Sequence, residues 1–478
     1  MRHSPGLPQR TKIVCTLGPA TKSTAVLESL IRAGMNVARL NLSHGTHAEH
    51  ARHIERVRKL SGRLSMPVAV LIDLPGPKYR VGKLSVRSAR LSKGDRVVLT
   101  TREVEGDGRV VPVNYPQLPH DVKPGDTILL DDGAIQLKVA ARGQQDVDCD
   151  VIVGGKLTAG RGIVVPGMRS LGPFITEGIK KHMDFVVEEK PDYVALSFVS
   201  RPDDVEQTRA LLHGKACDVP IIAKIERGQA VTNFDKLLAV SDGIMVARGD
   251  LGVDIPIQRV PLVQKEIIRK CNRAGKPVIT ATQMLESMVR SARPTRAEVA
   301  DVANAIFDGT DAVMLSAETS VGKYPVQSTR MMAQIARETE EQLNYEGMLA
   351  ERGTWLEPYT DEMIAYDACH TANRLGAAAI VAFSESGSTV WRVSKYRPRT
   401  PILGITPSRI VFGRLLLSWG VMPVQVPEPS TVDDLFSTGA KLSKESGLAR
   451  PGDLVVITAG VPIGISGTTN LLKVEIIT

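Results

Sequence analysis

Short apolar runs alternate along the chain with segments of helical character. The first three runs, TKIVCTLG, MNVARLNLSHG and VAVLIDLPGP, each end in glycine, a polar residue or a charge. The alternation stops at Pro75 and resumes near Phe174 with YVALSFV, IIAKIE, GIMVARGDLG, PVITATQM and AVMLSAET. Such alternation predicts βα units, and about eight strands is the number that closes a TIM (β/α)8 barrel.

The segment between these two groups has a different pattern. It contains short alternating stretches such as RVVLT, DTILLDDG and DVDCDVIVGG, punctuated by glycine, proline and aspartate. This pattern predicts a small all-β domain. Because the insertion follows the third barrel strand, we expect it to lie over the catalytic rim and to close as a lid that excludes water.

The pattern changes again beyond about residue 345. A polar, acidic, helix-like bridge is followed by AAAIVAFSESG, PILGITP, VMPVQV, DLVVITAG and LLKVEII, which predict an open α/β domain. We therefore expect an α/β protein with a barrel formed by residues 1–74 and 171–345, an inserted β-barrel lid at residues 75–170, and a C-terminal domain at residues 346–478.

Two turns of this C-terminal domain are rich in serine, glycine and threonine. They span residues 384–389 and 464–469. Successive backbone N–H groups in such turns can hold a phosphate. A plain connecting turn is the alternative.

Two of the barrel runs end in charge. One ends with Lys224 and Glu226, and the other ends with Arg248 and Asp250. Residues two apart on a strand point the same way, and buried charges are costly without partners. We expect Lys224 to neutralise an anionic substrate beside a divalent-metal site, since carboxylates such as Glu226 and Asp250 suit Mg²⁺ or Mn²⁺. The alternative is a structural ion pair between Lys224 and Glu226.

Composition narrows the class of protein. The 478 residues are 43% hydrophobic and 23% charged, with a net charge of +8, which is typical of globular domains with large cores. There is no apolar stretch near the roughly 20 residues of a membrane span and no secretory signal pattern at the N-terminus, so we expect a cytoplasmic protein without membrane contact. Five scattered cysteines without CxxC spacing predict free thiols. Aromatic residues at 4% are too few for base-stacking surfaces, so we expect small polyanionic substrates and no nucleic acid.

Four histidines recur at every third position, at His44, His47, His50 and His53. Steps of three rotate around a helix, and no cysteine accompanies them, so we predict no metal cluster here. The last three are expected on an exposed helical face.

Taken in order, these runs closely resemble the pyruvate kinase family. The resemblance covers nearly the whole chain, is weakest in the β insertion, and is carried by TKIVCTLGPA at 11, GMNVARLNLSHG at 34, IIAKIE at 221, MVARGDLG at 245, ITATQMLESM at 279 and MLSAET at 314. It implies a TIM barrel with an inserted β lid and a C-terminal α/β regulatory domain, as expected above. It also implies phosphoryl transfer from phosphoenolpyruvate to ADP, giving pyruvate and ATP, in a homotetramer.

The resemblance assigns the groups around the migrating phosphoryl group. Lys224, Arg39 and a divalent metal, Mg²⁺ or Mn²⁺, held by Glu226 and Asp250 would surround it with positive charge. The backbone of Gly249 and the Asp250 carboxylate would hold the metal and the substrate carboxylate.

The resemblance also assigns the protonation step. Thr282 matches the substrate-contacting threonine near the carbon that accepts the proton. Ser316 matches a serine proposed to relay that proton through water, although a serine at this position could instead make a local hydrogen bond.

For the nucleotide, the resemblance points to basic residues at the two connections between barrel and lid. Arg80 and Arg161 match phosphate-binding positions, and Asn41 and His44 would approach ADP. The alternative for Arg161 is an exposed charge on the lid, because Gly160 stands where the family usually has the first of two lysines.

One departure from the family affects the monovalent cation. Members place K⁺ beside the phosphates through residues that match Asn41, Ser43 and Asp73, followed by a threonine. Here that threonine is Leu74, and Lys78 replaces the family's glutamate. An ammonium group can supply the positive charge that K⁺ otherwise brings, so we predict activity without K⁺.

The first turn of the C-terminal domain resembles the family's effector loop. In animal and fungal members regulated by fructose bisphosphate a lysine stands where this chain has Glu385, and AGVPIGISGTTN lacks the basic and aromatic residues that clamp the second phosphate. We therefore predict AMP or a sugar monophosphate as effector, with an unregulated enzyme as the alternative. The candidate loop residues are Ser384, Ser386, Gly387, Ser388 and Thr389.

Two other functions are compatible with parts of the sequence. A metal-dependent aldolase or lyase of pyruvate-like substrates would share the barrel and the carboxylates, but it leaves Lys224 and the arginines at the lid connections unexplained. A non-catalytic protein that senses a phosphorylated metabolite, or that holds nucleic acid through its charge, would give a salt-dependent RNA complex and no turnover.

Overall fold

The first βα units of the barrel form where the apolar runs predict them. The computed structural model describes residues 9–77, 79–131, 133–167, 173–465 and 467–478, so Lys78 lies outside the described residues. Every residue of the first and third strands is buried, as expected for strands covered on both faces. In chain order the elements are β1 (Lys12–Thr16), α1 (Thr24–Ala33), β2 (Val37–Asn41), α2 (His47–Leu64) and β3 (Ala69–Leu74).

The inserted segment folds around a core of its own. That core includes Val97, Leu99, Ile128 and Leu137. A six-stranded sheet has the order β11-β7-β8-β9-β5-β6, and β10 pairs with β4. The elements are β4 (Ala89–Leu91), β5 (Arg96–Thr100), β6 (Val110–Pro112), α3 (Leu118–Asp121), β7 (Thr127–Leu130), β8 (Ile135–Arg142), β9 (Asp146–Val153), β10 (Gly155–Leu157) and β11 (Ile163–Val164).

The remaining five barrel strands close the barrel. Its order is β1-β16-β15-β14-β13-β12-β3-β2, with every neighbouring pair parallel. The elements are α4 (Glu177–Glu189), β12 (Tyr193–Leu196), α5 (Pro202–His213), β13 (Ile221–Ile225), α6 (Gly228–Thr232), α7 (Phe234–Val240), β14 (Gly243–Ala247), α8 (Arg248–Asp254), α9 (Val260–Ala274), β15 (Val278–Ala281), α10 (Arg296–Phe307), β16 (Ala312–Leu315), α11 (Ala317–Ser320) and α12 (Pro325–Glu341).

The C-terminal domain is a five-stranded sheet with helices around it. The strand order is β19-β18-β17-β20-β21, and only β21 among the described strands of this sheet runs antiparallel to its neighbour. The elements are α13 (Tyr345–Gly353), α14 (Thr360–Leu375), β17 (Ala379–Phe383), α15 (Ser388–Lys395), β18 (Ile402–Thr406), α16 (Arg409–Leu415), β19 (Val421–Gln425), α17 (Val432–Glu445), β20 (Leu454–Gly460) and β21 (Thr469–Ile476). The predicted architecture of barrel, inserted β lid and C-terminal α/β domain is therefore confirmed.

The C-terminal domain covers the end of the barrel where the strands begin. Leu416 and Leu417, just after α16, pack against barrel residues that include Val14. Lys12, the first residue of β1, donates from Nζ to the carbonyl of Val421 at 2.7 Å. The opposite end, where the strands finish, faces the lid side, and this is the end where barrel enzymes place their active sites.

An arginine of the C-terminal domain ties the two domains together. Arg397 donates to Asp311 Oδ1 at 2.8 Å, to Asn272 Oδ1 at 2.9 Å and to the Gly309 carbonyl at 2.8 Å. Only 2% of Arg397 is exposed, so this contact is fully buried between the domains.

The predicted exposure of the α2 histidines is wrong. His50 and His53 are each only 7% exposed, because they share the buried stripe of α2 with Ile54 and Val57. His47 is half-buried, stacks on Phe185 and bonds His182 at 2.8 Å. Because the buried face of α2 carries polar residues, the sequence pattern did not indicate that this face packs against α4.

Two further observations concern the chain as a whole. All five cysteines are free, and four of them are buried. In the part of the chain that the structure describes, there is no helix that combines the length and apolarity needed to cross a membrane.

Candidate active site

Lys224 lies near the end of β13 and makes three side-chain contacts. Its Nζ donates to Ser197 Oγ at 2.7 Å, to Asp73 Oδ1 at 3.2 Å and contacts Glu226 Oε1 at 2.8 Å. The lysine is 6% exposed. The predicted pairing of Lys224 with Glu226 thus exists, but as one part of a larger polar network.

Arg39, from the middle of β2, completes this network. Its Nε donates to Asp73 Oδ2 at 2.8 Å, and its Nη1 donates to Thr16 Oγ1 at 2.9 Å. Asp73 lies near the end of β3, directly beside β2 in the barrel. Three strands, β2, β3 and β13, therefore bring two cations and two carboxylates to the same rim. The resemblance had assigned Arg39, Lys224 and Glu226 to the transferring phosphoryl group and Asp73 to the neighbouring monovalent cation. We call this set, Arg39, Asp73, Lys224 and Glu226, the rim network.

The charges of the rim network sustain one another. Burial works against ionisation of Asp73, but Lys224 and Arg39 outweigh it and lower the pKa of this carboxyl. Burial also disfavours the charged lysine, yet Asp73 and Glu226 raise the pKa of Lys224 above its usual value. Lys224 is therefore a cation at neutral pH, as stabilisation of a transferring phosphoryl group requires.

Glu226 and Asp250 fit the demands of a divalent metal. Burial raises the pKa of Glu226, against the effect of Lys224, and the nearby carboxylate of Asp250 raises it further. A divalent cation would relieve this repulsion between like charges. Among the described residues there is no group of three or more side chains arranged to hold a metal. Two carboxylates with substrate oxygens and waters are a set that Mg²⁺ commonly uses.

Thr282 and Gly249 contact each other directly. The Gly249 N–H donates to Thr282 Oγ1 at 2.8 Å, and that hydroxyl donates to the Ala281 carbonyl at 2.6 Å. Thr282 has φ +67° and Gln283 has φ +55°, both in the left-handed region. Such a conformation is rare for a β-branched residue, and strain of this kind concentrates at functional sites.

Ser316, after β16, has a buried hydroxyl without a hydrogen-bond partner among the described residues. Its backbone N–H donates to Glu318 Oε2 at 2.7 Å, while Glu318 Oε1 accepts from Leu285 N at 3.0 Å. The local hydrogen bond considered as the alternative for the Ser316 side chain is therefore not made within the described residues. Glu318 links the segments that follow β15 and β16.

The turn after β2 carries the remaining rim candidates. Ser43 N donates to Asn41 Oδ1 at 3.1 Å, and Ser43 and His44 are exposed. Leu74 is buried at the end of β3 in the apolar barrel core, so it offers no side-chain oxygen to a monovalent cation.

The two connections to the lid run side by side. Arg80 forms an antiparallel bridge with Gly162, and its Nη1 donates to the Gly160 carbonyl at 2.8 Å. Arg161 is exposed and forms an ion pair with Asp131 at 3.0 Å. The structure thus brings Arg80 and Arg161 onto one ribbon, with both of these cations already in contact with lid atoms.

The two serine-rich turns of the C-terminal domain line one cleft. Thr389 and Thr469, one from each turn, are hydrogen-bonded through their hydroxyls at 2.7 Å. Glu385 and Glu428 also line the cleft, and no lysine, arginine or histidine does so among the described residues. A ligand here would meet hydroxyl and backbone groups together with two carboxylates.

Sequence reasoning missed Ser197 and Thr16. Ser197 Oγ donates to Asp73 Oδ1 at 3.1 Å while it accepts from Lys224, and Thr16 accepts from Arg39. Thr16 ends β1 and Ser197 follows β12, and Lys224 likewise lies near the end of β13. A polar residue at the end of every apolar run was therefore a usable signal.

Comparisons with known proteins agree with this geometry. The family description "Pyruvate kinase, barrel domain" matches residues 8–329, and "Pyruvate kinase, alpha/beta domain" matches residues 362–475. The chain is 45% identical over 471 residues to a pyruvate kinase of Clostridium acetobutylicum, covering 98% of this chain and 100% of that relative. It is 47% identical over 472 residues to one of Geobacillus stearothermophilus, covering 98% of this chain and 80% of that relative.

A solved structure gives the same result. The crystal structure of a pyruvate kinase from Cryptosporidium parvum superposes with a TM-score of 0.94 at 34% identity, covering 98% of this chain and 96% of that chain. Fold, rim residues and sequence similarity over the full length lead to one assignment. The chain belongs to the pyruvate kinase family and is a phosphotransferase.

Proposed function

We propose that this chain transfers the phosphoryl group of phosphoenolpyruvate to ADP through the rim network. The observation that carries the proposal is the buried Lys224, held by Asp73, Glu226 and Ser197 at the end of β13. An oxygen of the ADP β-phosphate attacks phosphorus, the bond from phosphorus to the enol oxygen breaks, and the electron pair remains on the enolate of pyruvate.

Lys224 and Arg39 stabilise the negative charge that moves during this step. Both side chains are buried cations, so their field acts in an environment of low dielectric constant. Each contacts Asp73, which holds it in place before substrate binds. Mg²⁺ or Mn²⁺ bound by Glu226 and Asp250 would supply Lewis-acid polarisation of the substrate oxygens.

The enolate then takes a proton at its methylene carbon. Thr282 and Gly249 would orient the substrate carboxylate, and water near Ser316 would deliver the proton. The Ser316 hydroxyl has no hydrogen-bond partner within the described part of the chain, and this supports the role because a donor is left available for a water molecule. Thr282 must exchange its bond to the Ala281 carbonyl when substrate is bound.

ADP binds between the rim and the lid. Asn41 contributes from the end of β2 and His44 from the turn that follows, and Arg80 and Arg161 contribute from the lid connections. Arg161 would exchange its ion pair with Asp131 for a phosphate oxygen, which an exposed arginine can do at little cost.

The enzyme does not require K⁺. Leu74 lacks a side-chain oxygen, and Asp73 already faces two cations, Arg39 and Lys224. Lys78, which lies outside the described residues, would provide the additional positive charge, as its replacement of the family's glutamate predicts.

The cleft of the C-terminal domain binds a singly phosphorylated effector, AMP or a sugar monophosphate. Hydroxyl and backbone groups of Ser384, Ser386, Gly387, Ser388 and Thr389 would hold one phosphate. A second phosphate would face Glu385 or Glu428 without a basic residue among the described lining groups. Isothermal titration calorimetry with glucose 6-phosphate, AMP and fructose 1,6-bisphosphate tests this, and micromolar binding of the bisphosphate would contradict it.

Copies of the chain assemble into a cytoplasmic homotetramer. Ile257 and Leu262 are 66% and 67% exposed near the start of α9, and β21 presents Ile476 at an open sheet edge. Exposed apolar groups of this kind support association.

We also propose the boundaries of the three domains. They lie between residues 74 and 75, between residues 170 and 171, and between residues 345 and 346.

The experiment that tests the activity follows pyruvate formation from phosphoenolpyruvate with Mg²⁺. Turnover that requires ADP and yields ATP in equal amount supports the proposal. Pyruvate or another carbonyl product released without ADP would favour the aldolase or lyase instead.

A further inference from the structure

The turn after β2, residues 42–46, carries His44 and directly follows Asn41, the last residue of β2. Both residues belong to the proposed nucleotide site. Leu42 N donates to the Asp73 carbonyl at 3.0 Å, and His44 N donates to the Asn41 carbonyl at 3.3 Å. These bonds fix the first half of the turn to the barrel. They do not hold its second half.

His50, one turn into α2, contacts that second half. Its Nε2 lies 2.7 Å from the His44 carbonyl oxygen. A carbonyl can only accept, so Nε2 carries the hydrogen and donates. Burial lowers the pKa of His50, so the ring is neutral and its other nitrogen, Nδ1, carries no hydrogen; Nδ1 has no partner among the described residues. The ring therefore makes one directed hydrogen bond, and that bond goes to the turn.

Gly45 shows how closely the turn lies on this ring. It has φ +75°, and a Cβ added there would be 3.4 Å from His50 Nε2 and 3.2 Å from Glu49 Oε2. Glu49 also accepts from Thr46 N at 3.0 Å in the capping box of α2. The imidazole and the cap together form the surface on which the backbone at 44–46 rests.

We infer that His50 is a positioning residue for ADP, and that its Nε2–H holds the His44 carbonyl so that Asn41 and His44 are presented to the nucleotide. This inference rests on the proposed role of those two residues in ADP binding. His50 itself is buried behind the turn, so it acts through the backbone of the turn.

The test compares two substitutions at this position. Glutamine places a donor close to the position of His Nε2, whereas leucine fills similar space without a donor. We expect His50→Leu to raise KM for ADP about fivefold, which is the loss of affinity that corresponds to one net hydrogen bond. KM for phosphoenolpyruvate should stay near the wild-type value. His50→Gln should restore most of the ADP affinity, which a purely structural role would not predict.

His53 provides the matched control. It lies one turn further along α2, is equally buried, and makes no hydrogen bond to the turn among the described residues. His53→Leu should leave KM for ADP unchanged. Equal increases in both Michaelis constants for His50→Leu, or no recovery with glutamine, would overturn the inference.

Two further variants separate this inference from the proposed function. Asn41→Ala and His44→Ala test whether the turn binds ADP at all. If they raise KM for ADP and His50→Leu does not, the positioning role is wrong and the nucleotide site stands. If neither raises it, the nucleotide role of the turn is wrong, and the role of His50 is wrong with it.

Discussion

Each end of the barrel buries a basic side chain against a carboxylate, but the two pairs lie in different surroundings. At the ends of the strands, Lys224 contacts Asp73 and Glu226 under the lid side. At their beginnings, Arg397 contacts Asp311 between the barrel and the C-terminal domain. Both cations are almost inaccessible to solvent.

The difference lies in what surrounds each pair. Arg397 also donates to the Gly309 carbonyl and to Asn272, so its partners belong to a fixed contact between domains. Lys224 has only side-chain partners among the described residues, and the like charge of the nearby Asp250 raises the pKa of Glu226 beside it. Buried charge alone therefore does not identify a catalytic site. In a barrel, a buried charge indicates a catalytic site when it lies at the end where the strands finish.

The largest effect should come from Lys224→Met. We expect kcat to fall by at least ~10²-fold, the lower range for loss of one electrostatic group that acts on the transition state. Because Arg39 still pairs with Asp73, the free energy of unfolding should fall less than in a variant at Arg397. Steady-state kinetics and urea denaturation measure both, and a turnover number near that of the wild type would remove Lys224 from the mechanism.

Arg397→Met should show the opposite behaviour. The substitution removes the cation that pairs with the buried carboxylate of Asp311. Loss of one partner of a buried pair should lower the free energy of unfolding by about 3–5 kcal/mol. The remaining folded protein should keep most of its kcat. Urea denaturation at fixed protein concentration is the measurement, because assembly makes stability depend on concentration.

Arg399→Met is the control for that variant. Arg399 is exposed two residues away, and its substitution should change stability by no more than about 0.5 kcal/mol. If Arg399→Met lowers the free energy of unfolding as much as Arg397→Met does, the contact between the domains is not what stabilises this end of the barrel.

Ser197→Ala tests how far the rim network depends on orientation. The Ser197 hydroxyl lies between Lys224 and Asp73, and a hydrogen bond to a charged group is worth enough for about a tenfold loss in kcat. Ser200→Ala is the matched control, since its hydroxyl bonds a main-chain carbonyl and not Lys224. A kcat equal in both variants would show that Asp73 and Glu226 suffice to hold the lysine.

The same comparison shows what could be predicted from sequence. The eight barrel strands, and Lys224 with Glu226 on one side of their strand, follow from continuous apolar runs that end in charge. Ser197 was missed because its role depends on a neighbouring strand, and the contact of Arg397 with Asp311 joins residues 86 apart in different domains. The predicted exposure of His50 was wrong because a histidine on the buried face of a helix does not contribute to an apolar sequence pattern.

The smallest effect should be that of potassium. The rim already holds Arg39 and Lys224 against Asp73, and Lys78 adds a further cation where the family has a glutamate. The initial rate of pyruvate formation in potassium-free buffer should therefore not change as KCl is added. Lys78→Glu reverses the charge by two units and should make the rate depend on K⁺. A wild-type enzyme that needs KCl would contradict K⁺ independence. If the Lys78→Glu variant is fully active in sodium-only buffer and gains nothing from KCl, that independence is due to the other rim cations and not to Lys78.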